Sequence, residues 1–225
     1  MGKHKASIQS ACDPLLQILK SGDVVNQVSM GHYWWKFWLT LAELAIRQHQ
    51  KSLFGKNSDW RDTHTMLFFN ADETFSVELP KATFKPLKEY CLTELSIFRL
   101  KLIELSPDYL TTMKQIAEKM KGYDYDIGQL LDIAINEILG YRYQRKVKIF
   151  DFGRKKKVCS VGVRVIFEKL FQESIRDQNN DSKHWLFREL NPEKWSAKEI
   201  RKYIGTHIEV TTPAHFANTN KSLCT

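Results

Sequence analysis

Paired cysteines are missing from this 225-residue chain: its four, Cys12, Cys91, Cys159 and Cys224, stand far apart with no metal-type spacing. That scatter argues against a zinc ribbon or a disulfide scaffold and fits reduced thiols. There is no Gly-rich phosphate loop, no GxSxG and no HExxH, so the familiar phosphate, serine-hydrolase and zinc-protease chemistries have no motif to rest on. The nearest thing to a metal constellation is Asp59, Asp62 and His64 in DWRDTH, whose spacing matches no ligand pattern. The expectation is a protein without catalysis, metal or cofactor, against the alternative of a small nuclease with dispersed acids. No apolar run reaches membrane-spanning length and no signal-peptide core is present. MGKHKAS misses the myristoylation pattern because Ala6 holds the hydroxyl position. These absences predict a cytoplasmic protein with no membrane partner.

Positive charge is plentiful and unevenly spread. The chain carries a formal +8, and the segment YRYQRKVKIFDFGRKKK, residues 141–157, holds Arg142, Arg145, Lys146, Lys148, Arg154, Lys155, Lys156 and Lys157 against the single acid Asp151. Nearly all of the net charge therefore sits in one stretch, where a basic arm can follow a phosphate backbone. A charge run is often only a solvated face. Here Tyr141, Tyr143, Phe150 and Phe152 interleave with it, and KVKIFDF and VCSVGVRVIF read as two strands joined through Gly153, a hairpin with a basic tip.

Upstream, DPLLQILKS reads as a short amphipathic turn or helix. HYWWKFWLTLAELAIRQHQKSLF reads as a long helix with Trp34, Trp38, Leu41, Ala42 and Ala45 on one face, a stripe that suits core packing, with binding of a partner, a base or a cofactor as the alternative. THTMLFFNADETFSVELP predicts two strands about an NADE turn, and FKPLKEYCLTELS a weak helix. Downstream, VIFEKLFQESIR is helical in pattern, and Ser196 with Glu199 in SAKEIRKYI forms a capping box. From about Thr211 periodicity is lost.

Between these lies the most ordered pattern. IFRLKLIEL reads as a strand. Ser106, Pro107 and Asp108 start a helix, because a hydroxyl caps free amides, proline suits the first helical position and an acid suits the positive first turn. Leu110, Met113, Ile116, Ala117 and Met120 then recur at the helical period. Gly122 can stop that helix and Asp124 or Asp126 can cap the next, in which Ile127, Leu130, Leu131, Ala134, Ile135, Ile138 and Leu139 form an apolar stripe closed by Gly140.

A strand followed by two capped helices over residues 97–139 resembles the ribbon-helix-helix DNA-binding fold, although capped helix pairs also occur in ordinary cores. The resemblance implies that the strand pairs with a second copy, since one strand cannot satisfy its own backbone. It also implies a homodimer core of Leu100, Leu102, Leu110, Met113, Ile116, Leu130, Leu131, Ala134, Ile135 and Ile138. Register decides what reads DNA. One register buries Phe98, Leu100 and Leu102 and turns Arg99, Lys101 and Ile103 outward to double-stranded DNA. The family-aligned register sends Leu100, Leu102 and Glu104 outward and buries Lys101, at a cost of several kcal/mol.

The expected fold class is mainly α with short β elements, an α+β chain. It has a helical N-terminal extension (1–96), the ribbon-helix-helix unit (97–140), a basic hairpin with C-terminal helices (141–210) and a disordered tail (211–225). In that arrangement the chain resembles the AcaB-like transcriptional regulators of conjugative plasmids and integrative elements. The resemblance implies a sequence-specific, dimeric DNA-binding regulator of transfer genes, associated with nucleoid or plasmid and working beside other transcription proteins. A relaxosome accessory protein, or an RNA-binding or protein-interaction module using the basic hairpin, are the alternatives.

Overall fold

The computed structural model describes residues 12–28, 37–54, 61–91, 93–99, 107–139, 149 and 155–176. Residues 12–18 are helical (α1), followed by β1 (Val24–Gln27), α2 (Phe37–Phe54), β2 (His64–Asn70), β3 (Glu73–Val77) and β4 (Ala82–Lys85). A 3-10 turn (Leu87–Glu89) leads to β5 (Leu95–Phe98), α3 (Pro107–Met120), β6 (Asp124–Tyr125), α4 (Ile127–Ile138), β7 (Lys156–Lys157) and α5 (Cys159–Arg176).

Five of the strands form one antiparallel sheet in the order β4-β3-β2-β1-β5. The NADE turn joins β2 to β3 as the sequence predicts, with Asp72 N donating to Asn70 Oδ1 at 2.9 Å. Central β2 is buried on both faces from His64 to Phe69, so its near-continuous apolar run has a physical reason. On one face Val24, Leu67, Phe75, Val77 and Ala82 pack beneath Met113, Ile116, Ala117 and Met120 of α3 and Val163, Ile166, Phe167 and Leu170 of α5. On the other face Val25, Met66 and Phe68 pack under Leu19, Leu87 and Tyr90, with Leu15 and Leu16 half-buried beside them.

This architecture overturns the expected fold class: the chain is not a mainly α ribbon-helix-helix protein but is built on a five-stranded antiparallel sheet. The reason lies in β5. Its backbone finds a partner inside the chain, pairing antiparallel with β1 from Val24↔Phe98 to Gln27↔Leu95, so no second copy is needed to complete it. VVNQ, the four residues of β1, is too short and too mixed to announce itself as a strand. One apolar cluster then runs from Val24 to Leu170, across both expected boundaries at 96 and 140.

Other local readings change for similar reasons. From Cys159 onward VCSVGVRVIF belongs to α5 and not to a hairpin strand; its dense valines suit a helix pressed between sheet and α3, where side chains are buried nearly all round. FKPLKEYC shrinks to the strand end and the 3-10 turn. Cys12 and Cys91, expected to be reduced, are joined in a disulfide with Cα atoms 5.8 Å apart. By contrast α3 does begin at Pro107, and Gly122 takes the left-handed φ of +84° just beyond its end. Asp126 Oδ1 accepts the Gln129 amide at 2.8 Å as the cap of α4. Trp34, the Ser196 capping box and the tail from 211 lie outside the described residues.

Candidate nucleic-acid interface

The turn between α3 and α4 is laced to two distant segments by backbone hydrogen bonds. Gly122 N donates to Ala82 O (2.9 Å), Ala82 N to Tyr123 O (2.7 Å) and Tyr125 N to Pro80 O (3.1 Å). On its other side Asp124 N donates to Lys155 O (3.1 Å) and Asp126 N to Lys157 O (3.0 Å), which makes β6 and β7 a short parallel pair. Residues 80–82, 121–126 and 155–157 therefore converge at one corner. Lys81, Lys121 and Lys155 are exposed there and Lys156 and Lys157 are half-buried. Asp124 is the one exposed acid of these three segments, because Asp126 is buried and engaged in capping.

A cluster of lysines fixed on a rigid backbone attracts polyanions without reading sequence: ammonium groups are point charges with long, adaptable stems. Lys81 and Lys121 were not legible as part of it. Neither stands in a charge run, and only the lacing of β4 to the turn brings them beside Lys155.

The predicted DNA-reading residues distribute differently. Arg142, Arg145, Lys146, Lys148 and Arg154 lie outside the described residues, as do Leu100, Lys101, Leu102 and Ile103. Ile149 N donates to Asp132 Oδ1 at 3.0 Å, which ties the basic segment to the middle of α4. Arg99 is turned inward rather than to a groove. Its Nε donates to Asp23 Oδ1 (2.8 Å) and its Nη2 to Asp23 Oδ2 and Ile18 O (both 2.6 Å).

Nor do the predicted dimer-core residues share one surface. Met113, Ile116 and Leu130 are buried in the chain's own core, Leu110 is packed at its margin, and Ala134 and Ile135 are half-buried. Leu131 is 48% exposed and Ile138 83%. The inward side of α4 is mixed, with Gln129, Asp132 and Asn136 buried beside the core residues Leu130 and Ile133.

Burial shifts two of the described interior groups toward their protonated forms. Burial pushes the Cys159 thiol up to about 11, so it stays protonated and a poor nucleophile. Tyr125, fully buried, is held well above its ordinary value by the same cause, reinforced by the nearby Cys159, Glu43 and Asp126. His64 lies 2.7 Å from Ser76 Oγ through Nε2, but both are buried. Asp62 is buried as well, and Asp59 lies outside the described residues. Among the described residues no group of three His, Cys, Asp or Glu is placed to hold a metal ion. No protein-family model matches the chain, and no curated protein matches it significantly.

Proposed function

We propose that the chain binds double-stranded DNA as a regulator of transcription, with the lysine corner and the basic segment running into it gripping the phosphate backbone. The observation that carries this reading is the convergence of Lys81 and Lys121 on Lys155–Lys157, at the end of the segment holding nearly all of the net charge. Length agrees with it. The chain leaves α4 at Leu139 and returns at Lys155 beside the start of the same helix. A 12-residue helix such as α4 spans about 18 Å, over which duplex DNA presents on the order of ten phosphates.

Because the ribbon is not the fold, no base-reading role is carried forward for Arg99. Control of transfer genes rests on the sequence resemblance alone, whose specific part is residues 97–139. The homodimer reading has a different support, the apolar stripe that α4 turns outward. A cytoplasmic location belongs to the same proposal; among the described residues no helix is long and apolar enough to cross a membrane.

Fluorescence anisotropy on one duplex across a salt series tests the corner. Each phosphate contact contributes about 0.9 to the slope of log affinity against log salt, so Lys81→Ala, Lys121→Ala and Lys155→Ala together should flatten it by up to about 2.7. All duplex sequences should weaken alike. An unchanged slope would remove the corner from the interface. Magnesium-dependent nicking of plasmid DNA would replace the regulator with the nuclease alternative.

A further inference from the structure

The side of the sheet that carries Val25, Met66 and Phe68 is covered by α1, residues 12–18, and this cover is thin. A helix of seven residues does not hold its shape in water alone, because nucleation costs more than so few hydrogen bonds return. Asp13, Pro14, Gln17 and Ile18 are exposed, Leu15 and Leu16 are half-buried, and only Cys12 and Leu19 at the two ends are buried. Two attachments pin these ends. Arg99 Nη2 donates to Ile18 O at the C-terminal end, and the Cys12–Cys91 disulfide fastens the N-terminal end to the chain just after the 3-10 turn.

We infer that this disulfide is a redox-sensitive clasp whose reduction releases α1 from the sheet. Cys91 is half-exposed and Cys12 buried, so a dithiol reductant reaches Cys91 Sγ first. Its thiolate attacks that sulfur, a mixed disulfide forms at Cys91, and Cys12 leaves as a thiolate that takes up a proton. The reductant's second thiol then attacks its own sulfur in the mixed disulfide, giving a cyclic disulfide and a free Cys91. Two electrons and two protons pass to the protein in all. The Leu87 carbonyl, 3.5 Å from Cys91 Sγ, is in place to accept a hydrogen bond from the new thiol.

The rest of the fold does not depend on the clasp. The large cluster on the opposite face, from Val24 through Val77 and Met113 to Leu170, includes no residue of 12–19. Reduction therefore acts locally and uncovers Val25, Met66, Phe68 and Leu87. A bond of this kind in a reducing compartment is more often a sensor than a brace.

Hydrogen exchange on the full chain tests this. Amides of residues 15–20 should exchange at least tenfold faster after dithiothreitol treatment while β2 and β3 keep their rates. Cys91→Ser should behave the same without reductant. Two new alkylation sites, at Cys12 and Cys91, should appear only after reduction. Retained protection of residues 15–20 in the reduced protein would overturn the inference. So would alkylation of Cys12 in untreated protein, or acceleration of β2 together with α1, which would make the bond a brace for the whole fold. Neither readout contains DNA, so the result is independent of the nucleic-acid reading.

Discussion

His64 illustrates how a single side chain ties this fold to pH. It sits fully buried in β2 with Nε2 against Ser76, and Nδ1 has no hydrogen-bond partner. Burial, helped by the Lys85 cation, pulls its pKa from 6.5 down to about 4. The native state thus holds the imidazole neutral while the unfolded chain takes up a proton below about 6.5. The stability is full above that value, falls as pH drops through the window, and is lost below about 4. At pH 5 the loss should be about 2 kcal/mol relative to pH 7.5. Urea titrations at the two pH values check it, and His64→Gln should remove this part of the difference. An equal pH dependence in the variant would mean that other groups carry it. Arg99 makes a related point. The residue expected to read bases holds a carboxylate that is buried at Asp23, and a buried charge without its partner costs several kcal/mol.

At the scale of elements, α5 lies close against β3 at Gly162. A Cβ placed on Gly162 would lie 2.5 Å from Val77 Cγ2 and 3.6 Å from Met120 Cε. Val77 is fully buried and stiff at χ1, so it cannot swing aside. Overpacking costs about 1–3 kcal/mol, and the helix propensity of alanine returns up to about 1. Gly162→Ala should therefore destabilise the protein by up to about 2 kcal/mol, seen as a lower denaturant midpoint with unchanged m. A gain in stability would mean that α5 stands further from the sheet. The same crowding explains why the first part of α5 has the pattern of a strand, whereas VIFEKLFQESIR, its second part, is helical as its pattern predicts. A segment buried on several sides loses the one-sided pattern by which a helix is recognised, and its valines then resemble a strand.

For the molecule as a whole, the proposed assembly rests on α4 and not on a ribbon. Ile127, Leu131 and Ile138 recur along one line of the helix and are 45%, 48% and 83% exposed, while Leu130 and Ile133 face inward among buried polar residues. If this stripe joins two copies, Leu131→Asp should convert a dimer to a monomer in sedimentation at micromolar protein, with the circular dichroism spectrum unchanged. The symmetric loss of two buried leucines should weaken association at least a hundredfold, about 2.7 kcal/mol. Unfolding of the variant would instead mean that Leu131 is needed within the chain's own core. A wild-type monomer would end the homodimer reading altogether.

What the sequence determined by itself is local. The start of α3 at Pro107, its stop at Gly122, the Asp126 cap and the β2–β3 turn follow from interactions within a few residues, each written in adjacent side chains. Charge density in residues 141–157 was legible in the same way, since charge is a sum over composition. The partner of β5, the side of α4 that faces inward, the Cys12–Cys91 bond and the meeting of Lys81 and Lys121 with Lys155 join residues far apart in sequence. Only the tertiary structure decides these. A strand's backbone can pair with any matching edge, and the chain supplied that edge from β1, so a unit that suggested a two-chain ribbon became the border of a single-chain sheet.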